Sequence, residues 1–414
     1  MIGLINLLMI LLLGSAPRYM FDLGSGPVAQ GYAAIGPADL YNAEKGYGLE
    51  PNCLVEALVR DGSDPLRGDL ITSDRPFYFS AAVPEGNYKV TVILGDKAGA
   101  SETTIKAELR RLMIEKVQTS QGQLVSRSFI VNVRTPKIPG DDQVRLKGRE
   151  LTTEWAAWDD KLTLEFNGPR PCVCAIEIEP VYDIPTVYLM GDSTVCDQPL
   201  EPWNSWGQML PRFFKPELAI ANHAESGESI RSSLSAGRFE KVFSGFKAGD
   251  WLFVQFGHND MKDKDPNALS RYKSDLAWIV DQTRKRQGHC VLITSMERKA
   301  GIEQDTLAGY PDAVRQVARE KGVPLIDLHA TSKVLYKALG PDLDRAFQDG
   351  THHTNYGSYL LAKCIVQAIK DNNLAIARSI VDEFSGFDPN RPDRSDRFSI
   401  PPSPGPIGPR PAGS

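Results

Sequence analysis

The sequence of 414 residues lacks the features that define several classes of protein. Its six cysteines include no Cys-x-x-Cys pair and are too sparse for the disulfide framework of a small secreted domain. Its 47 Lys and Arg residues are outnumbered by 52 Asp and Glu residues, which gives a net charge of −5. A phosphate backbone is bound through a basic excess, so we expect no nucleic acid among the partners. The cysteines leave the redox compartment open.

Apolar runs of about 20 residues, the length that crosses a bilayer, are also missing. The N-terminus carries a shorter run of seven apolar residues, Leu7 to Leu13, followed by the small residues 14–16. A short apolar core before small residues is typical of a secretory signal peptide. We therefore predict a signal peptide over residues 1–16 and a secreted or periplasmic protein with no membrane span. An amphipathic or anchoring N-terminus is the alternative.

Several short enzyme motifs are absent. Neither Gly-x-Gly-x-x-Gly nor a P-loop occurs, which argues against a nucleotide-dependent enzyme. The Gly-x-Ser-x-Gly pentapeptide of the common α/β-hydrolases is missing too. The adjacent His352 and His353 do not make a metal motif, because neighbouring side chains diverge and no His-Glu-x-x-His or Cys/His cluster accompanies them. We expect neither a metal nor another cofactor.

What is present is an ordinary globular composition, 42% hydrophobic and 24% charged, over a length that favours two domains. Residues 17–182 predict a β-sandwich, because short runs rich in β-branched and aromatic residues alternate with turn residues. These runs are 88–94, 127–133, 162–166 and 173–178. Cys172 and Cys174 are two residues apart in the last run, so we expect them to share a core face rather than to bind a metal.

Residues 183–380 predict a different architecture. Continuous apolar strands at 186–190, 251–256 and 290–294 alternate with helical segments at 204–213, 266–285, 308–321 and 355–371. This alternation indicates a parallel sheet covered by helices on both faces, whose sites gather at the carboxyl ends of the strands. Residues 384–414 contain eight prolines after Phe384 and predict a disordered tail.

The candidate site residues follow these strands. Ser193 comes after the first strand, Gly227 lies in the loop after a short strand at 218–220, and Asn259 follows the strand that ends at Phe256. Asp349 and His352 precede the last helix. Because the carboxyl ends of parallel strands share one edge of the sheet, we expect these side chains to meet.

Together these residue types fit acyl transfer. A serine hydroxyl is a weak nucleophile and needs a base, which His352 can supply, while Asp349 would fix the histidine tautomer. Attack on an ester puts negative charge on the carbonyl oxygen, which the N–H groups of Ser193 and Gly227 and the amide of Asn259 could bind. The sequence predicts a serine hydrolase with an oxyanion hole.

Four blocks, GDS, a later Gly, GxND and DxxH, resemble the signature blocks of the SGNH (GDSL-like) hydrolases, here at Ser193, Gly227, Asn259 and His352. Residues 184–375 further resemble the bacterial rhamnogalacturonan acetylesterases in the stretches GDSTV, WGQMLPRFF, FGHND, YPDAVRQVA, VPLIDLHATS and DGTHHTNYG. The resemblance implies a three-layer α/β/α, flavodoxin-like fold and metal-free removal of acetyl groups from a pectic plant cell-wall polysaccharide.

The N-terminal residues 19–24 (YMFDLG) and 46–49 (GYGL) resemble a galactose-binding-like β-sandwich. The chain departs from the esterases at residues 294–298, where relatives commonly have a Thr-Pro pair in a loop bordering the site. Specificity comes from loops, so a deacetylase of xylan or of another acetylated glycan is the alternative function. A non-catalytic carbohydrate-binding protein is the hypothesis from a different class.

Other residues carry weaker signals. Trp203 and Trp206 are either structural or part of a sugar-facing rim near Ser193, and His353 either lines the acyl pocket or is exposed. We interpret three further histidines as structural or surface residues: His223, His289 and His329. The net charge of −5 does not attract an anionic pectic chain, so any electrostatic attraction of the substrate must come from local positive charge. Three arginines are candidates for it: Arg231, Arg238 and Arg298.

Overall fold

The computed structural model describes residues 18–405. The signal peptide expected over residues 1–16 and the last residues, 406–414, lie outside the described part of the chain. Between residues 18 and 405, no helix combines the length and the apolar composition that a bilayer crossing requires.

Fourteen strands lie between residues 19 and 180 of the described chain: β1 (Tyr19–Leu23), β2 (Ala33–Ile35), β3 (Tyr47–Leu49), β4 (Glu56–Val59), β5 (Asp69–Thr72), β6 (Phe77–Ala82), β7 (Gly86–Gly95), β8 (Ser101–Ala107), β9 (Arg111–Thr119), β10 (Leu124–Val133), β11 (Lys137–Ile138), β12 (Asp142–Gln143), β13 (Lys161–Arg170) and β14 (Cys172–Pro180). One sheet has the order β10-β7-β14-β1-β2, with β5 paired to β14 and β4 paired to β5, and the other has the order β3-β6-β13-β8-β9.

The two sheets pack face to face, which confirms the β-sandwich. Alternate residues of each strand point into the shared core, as Val90 and Val92 do on one sheet and Leu162 and Leu164 on the other. Cys172 and Cys174 are buried together in a smaller apolar cluster on the other face of the first sheet. The shared core face expected for this pair is therefore confirmed. All six cysteines are free thiols.

The second half contains β15 (Thr186–Gly191), β16 (Trp203–Asn204), α1 (Trp206–Met209), β17 (Ala219–Asn222), α2 (Ile230–Ser235), α3 (Arg238–Gly245), β18 (Trp251–Gln255), α4 (Ala268–Lys285), β19 (His289–Ile293), α5 (Tyr310–Lys321), β20 (Leu325–Ile326), α6 (Leu328–Leu339), α7 (Leu343–Ala346), β21 (His353–Thr354) and α8 (Asn355–Asp371). Short 3₁₀ turns cover Pro65–Arg67, Trp155–Ala157, Leu210–Phe213, Asp260–Lys262, Lys299–Ile302, Gly340–Asp342, Ala375–Ser379 and Ser395–Arg397.

Five of these strands form a parallel sheet in the order β17-β15-β18-β19-β20. Along β18, Leu252 and Val254 face a core shared with α3, α4 and α5, while Trp251 and Phe253 face a core shared with α1, α6 and α8. The sheet is therefore buried on both faces, and the α/β/α architecture is confirmed.

An excursion of the sandwich, residues 134–158 between β10 and β13, packs on the hydrolase half. Glu150 of this excursion and Arg238 at the start of α3 are both at most 1% exposed and form a bidentate pair with N–O distances of 2.6 and 3.0 Å. Trp158 donates its indole N–H to the same carboxylate at 2.8 Å. Removing one partner of a buried ion pair typically costs about 3–5 kcal/mol, so this contact fixes how the two halves meet.

The prediction of a disordered tail over residues 384–414 is wrong for residues 384–405. Phe384 and Ile400 are buried in the core beside α8, and the ring of Phe398 lies 5.5 Å from that of Tyr359. Lys106 donates to the carbonyl of Pro401 at 2.7 Å. A segment with many prolines cannot form the interior of a helix or a sheet. It can still pack as an extended strap that places its apolar side chains against the core.

Replacing Ile400 by alanine should lower the free energy of unfolding by about 2–5 kcal/mol, the usual cost of truncating a buried isoleucine. Thermal unfolding followed by circular dichroism measures the loss. Pro404→Ala, at an exposed position of the same strap, is the control and should leave the melting temperature unchanged. Equal melting temperatures for Ile400→Ala and the wild type would mean that the strap does not pack in solution.

Candidate active site

Ser193 stands two residues beyond the end of β15, and it is half-buried. The turn that carries it is fixed by Asp192, whose fully buried carboxylate accepts the N–H and the hydroxyl of Thr194 at 2.9 and 2.7 Å. Gly191 has no room for a side chain, because a Cβ there would lie 2.5 Å from Val195. The serine is thus held by a tight turn at the carboxyl edge of the sheet.

His352 bridges Ser193 and Asp349. Its Nε2 lies 2.8 Å from the Ser193 hydroxyl oxygen, and its Nδ1 lies 2.7 Å from a carboxylate oxygen of Asp349. Partial burial opposes ionisation of Asp349, but hydrogen bonds from the backbone N–H groups of His352 and Thr351 outweigh it and lower the pKa of the carboxyl. An ionised carboxylate only accepts, so Nδ1 carries the proton and Nε2 is free to accept from Ser193.

His353 has neither of the two placements expected from the sequence. It is 1% exposed, contacts the ring of Phe347 at 4.3 Å, and forms a hydrogen bond of 2.8 Å with the Tyr336 hydroxyl. Burial lowers the pKa of His353 to about 3. It is a neutral core residue that anchors the backbone next to His352.

The three expected oxyanion donors lie in the same cleft as Ser193 and His352, which has a volume of about 440 Å³. The N–H groups of Ser193 and Gly227 have no hydrogen-bond acceptor among residues 18–405. Asn259 donates one amide hydrogen to the Glu228 carbonyl at 3.0 Å, and its oxygen accepts from Lys262 at 2.6 Å. Its second amide hydrogen is left for a ligand. The structure therefore brings together all five residues singled out from the sequence.

Much of the cleft wall carried no recognisable signal in the sequence. The excursion contributes Arg149, Thr153 and Glu154, although it lies in the other half of the chain from Ser193. Six more residues complete the wall, of which the sequence had singled out Trp203 alone: Gln198, Pro199, Leu200, Trp203, Ser226 and Lys262. For the excursion, the charge density of residues 145–154 was the only available hint, and an exposed surface would explain it equally well.

The two tryptophans have different positions. Trp203 is 36% exposed and lines the cleft, whereas Trp206 is 1% exposed and donates its indole N–H to Gln255 at 2.9 Å. Trp203 therefore belongs to the rim and Trp206 to the core. The three histidines interpreted as structural or surface residues lie outside the cleft lining: His223 is buried, His289 stacks on Trp251, and His329 bonds Glu297.

The proposed guiding arginines do not line the cleft. Arg238 is buried against Glu150, Arg231 pairs with Asp275, and Arg298 donates to the Thr306 carbonyl at 2.8 Å. The cations that line the cleft are Arg149 and Lys262. The loop at 294–298 likewise lies beneath the site, where the Met296 carbonyl is 3.0 Å from His258 Nε2, and it adds nothing to the cleft lining.

One group of side chains in the described chain clusters as metal ligands do: Glu297, Asp305 and His329, whose ligand atoms lie within 4.8 Å of one another. This group is outside the cleft. His329 Nε2 is already 3.1 Å from Glu297, while its Nδ1 is 3.1 Å from Arg315. Both ring nitrogens therefore have partners without a metal.

Comparison with known proteins agrees with this architecture. Residues 189–359 match the GDSL-like lipase/acylhydrolase family, and residues 19–115 match the galactose-binding-like domain of the β-agarase/YXIM esterase-like proteins. Rhamnogalacturonan acetylesterase RhgT of Bacillus subtilis is 33% identical over 217 residues, which cover 47% of this chain and 94% of RhgT. The uncharacterized esterase YxiM of Bacillus subtilis is 28% identical over 379 residues, which cover 86% of this chain and 92% of YxiM. A crystal structure of the Bacillus subtilis YxiM protein is 24% identical with a TM-score of 0.45, covering 87% of this chain and 99% of that one.

A helix-covered parallel sheet with Ser193 on a tight turn at its carboxyl edge, and relatives that are esterases, define the class as a carboxylic ester hydrolase. The chain belongs to the GDSL-like lipase/acylhydrolase family, and it carries a galactose-binding-like β-sandwich ahead of the hydrolase domain.

Glu154 gives the cleft wall a pH-sensitive charge. Its side chain is 6% exposed and lies 3.4 Å from Arg149, which also pairs with Glu225 at 2.7 Å. Burial, and next the nearby Glu225, raise the pKa of Glu154 to about 8. Near neutral pH this carboxyl is therefore largely protonated, and the ion pair of Arg149 is mainly with Glu225.

Glu154→Gln should gain stability relative to the wild type as pH rises from about 5 to 8. In this range the folded wild type holds a proton on Glu154 that the unfolded chain, with a carboxyl pKa of 4.5, has lost. Its stability therefore falls by at most about 1.4 kcal/mol per pH unit, and glutamine removes this dependence. Melting temperatures of both proteins across this range measure the effect.

The matched control for this experiment is Glu240→Gln, on the exposed side of α3. Its melting temperature relative to the wild type should not change with pH. A constant difference between Glu154→Gln and the wild type from pH 5 to pH 8 would contradict the raised pKa of Glu154.

Proposed function

We propose that this protein is a secreted or periplasmic serine esterase that removes O-acetyl groups from a pectic polysaccharide, rhamnogalacturonan. The observation that carries the proposal is the hydrogen-bonded line from Asp349 through His352 to Ser193, with distances of 2.7 and 2.8 Å. This line ends in an open cleft that also contains Gly227 and Asn259.

In the acylation step, Ser193 Oγ attacks the acetyl carbonyl carbon while His352 Nε2 takes the hydroxyl proton. The ionised Asp349 stabilises the imidazolium that forms, and the carbonyl oxygen becomes an oxyanion. Collapse of this intermediate breaks the bond to the sugar oxygen, which receives the proton from His352. The products of this step are the free sugar hydroxyl and an acetylated Ser193.

In the second step, water attacks the acetyl carbon and gives a proton to His352. Collapse of the second tetrahedral intermediate returns that proton to Ser193 Oγ and releases acetic acid, which ionises near neutral pH. Both steps place negative charge on the same oxygen. The N–H groups of Ser193 and Gly227 and the Asn259 amide are its donors, and losing one such donor typically costs about 2.7–4 kcal/mol of barrier.

The walls of the cleft support a polysaccharide substrate. The exposed ring of Trp203 offers an apolar face to a sugar, and Arg149 and Lys262 offer cations to the carboxylate of a uronic acid. Two relatives, RhgT and the probable enzyme YesY of Bacillus subtilis, are rhamnogalacturonan acetylesterases by name. These names and the cationic wall favour a pectic chain over a neutral glycan.

Ser193→Ala should lower the rate of acetate release from acetylated rhamnogalacturonan by at least about 10³-fold, because the nucleophile of the acylation step is lost and no acetyl-enzyme can form. Acetate is assayed enzymatically at matched protein concentrations. Ser274→Ala, at an exposed position on α4, is the control and should have wild-type activity. If Ser193→Ala released acetate as fast as the wild type, Ser193 would not be the nucleophile. If the wild type bound the polysaccharide and released no acetate, the protein would be a carbohydrate-binding module.

Trp203→Ala should raise KM for acetylated rhamnogalacturonan by about 3- to 10-fold and leave KM for 4-nitrophenyl acetate unchanged, because only the sugar reaches the rim. Trp278→Ala is the matched control, since Trp278 is 42% exposed on α4 outside the cleft lining. The assay is repeated with acetylated xylan. A higher kcat/KM on xylan than on rhamnogalacturonan would replace the proposed substrate by xylan.

A further inference from the structure

The β-sandwich half of the chain sends two cations to the loop that carries Gly227. Lys147 Nζ donates to the carbonyl oxygen of Ser226 at 2.7 Å, and Arg149 donates an Nη2 hydrogen to the same oxygen. Both residues belong to the excursion 134–158. One backbone carbonyl of the hydrolase half is therefore held by two charged side chains from the other half.

This carbonyl belongs to the peptide whose N–H is the candidate oxyanion donor. The Ser226–Gly227 peptide is trans, so its C=O and N–H point in opposite directions. Two cations that hold the oxygen on one side thus direct the Gly227 N–H to the other. They also withdraw electron density from the peptide, which makes its N–H a stronger donor.

The loop closes a turn around this peptide, because the Glu228 N–H donates to the Glu225 carbonyl at 3.2 Å, but that bond does not involve the Ser226 carbonyl. Gly227 has a φ of +75°, in the left-handed region that favours glycine, and it belongs to no helix or strand. Asn259 holds the carbonyl of Glu228, two residues after Ser226, at 3.0 Å, but no residue of the hydrolase half among those described donates to the Ser226 carbonyl.

The same two cations also balance the acidic residues on either side of the peptide. Lys147 pairs with Glu228 at 2.5 Å, and Arg149 Nε donates to Glu225 at 2.7 Å. A developing oxyanion would be repelled by uncompensated carboxylates nearby. Lys147 and Arg149 thus both orient the Gly227 N–H and neutralise the carboxylates beside it.

We propose that Lys147 and Arg149 are positioning residues for ester hydrolysis, which hold the Gly227 N–H towards the oxyanion through the Ser226 carbonyl. The galactose-binding-like half of the chain is then part of the hydrolytic machinery, whatever it binds on its own. This inference rests on the proposed function, because it takes Gly227 as an oxyanion donor.

The test compares Lys147→Met, Arg149→Met and the double variant with the wild type, all in the full chain. The substrate is 4-nitrophenyl acetate, so the result does not depend on which polysaccharide is the substrate. The double variant should lose about 10- to 100-fold in kcat, less than the 10²- to 10³-fold that loss of a donor costs, and KM should stay the same. Arg149→Lys should recover part of the loss, since it restores a donor.

Arg145→Met is the matched control. Arg145 is a cation of the same excursion that also contacts the hydrolase half, but at Ser235 instead of Ser226. It should have wild-type kcat. A loss in Arg145→Met as large as in the double variant would mean that any weakening of the contact between the halves lowers activity, and the inference would be wrong.

A second measurement separates positioning from a general structural role. Methylboronic acid forms a tetrahedral adduct with a serine nucleophile, and one of its oxygens occupies the oxyanion position. Its inhibition constant should rise in the double variant by about the factor that kcat/KM falls. An unchanged inhibition constant, or an unchanged kcat, would overturn the inference. Full hydrolysis by Ser193→Ala would instead overturn the proposed function, so the two failures can be told apart.

Discussion

The buried ion pair between Glu150 and Arg238 is the contact on which the geometry of the cleft wall depends. Removing two charges from water costs several kcal/mol for each ion, and good pair geometry together with further hydrogen bonds is needed to offset this cost. Here the Glu150 carboxylate accepts two bonds from Arg238, one from the Trp158 indole and one from the Lys147 backbone N–H. Partial docking would leave an uncompensated charge, so the excursion is either fully docked or not docked. Because Lys147 and Arg149 lie within three residues of Glu150, docking also fixes where they reach.

The acidic residues around the loop that carries Gly227 explain why several cations lie close to it. Four glutamates, Glu150, Glu154, Glu225 and Glu228, face three cations, Lys147, Arg149 and Arg238. With every group ionised, this cluster would carry one net negative charge beside a site that must accept another. The raised pKa of Glu154, about 8, removes that charge near neutral pH. Burial also raises the pKa of Glu225, so the local balance is set by the protonation of buried carboxyls in this cluster and not by the net charge of the whole chain.

The sequence predicted the parts of the site that follow from local rules. Ser193, Gly227 and Asn259 could be placed because each follows a strand of a parallel sheet, and carboxyl ends of such strands share an edge. Arg149 and Glu154 could not, because their position depends on docking of an excursion that begins more than 30 residues before β15. The strap at 384–405 was missed for a related reason. Its many prolines are a local signal, whereas the burial of Phe384 and Ile400 depends on a surface made by α8.

The pairing of a two-residue strand determines which of the adjacent histidines, His352 or His353, contacts Ser193. Strand β21 pairs with β16 so that His353 opposes Asn204 and Thr354 opposes Trp203. Side chains alternate between the two faces of a strand, so the buried pair His353 and Asn204 points inward while Trp203 points outward. His352, one residue before His353, is turned the other way and reaches Ser193. A shift of one residue in this pairing would bury His352 and expose His353, whose pKa of about 3 reflects its buried place. Which of the two histidines contacts Ser193, and so is the proposed base, therefore follows from strand register, since the two residues are chemically identical.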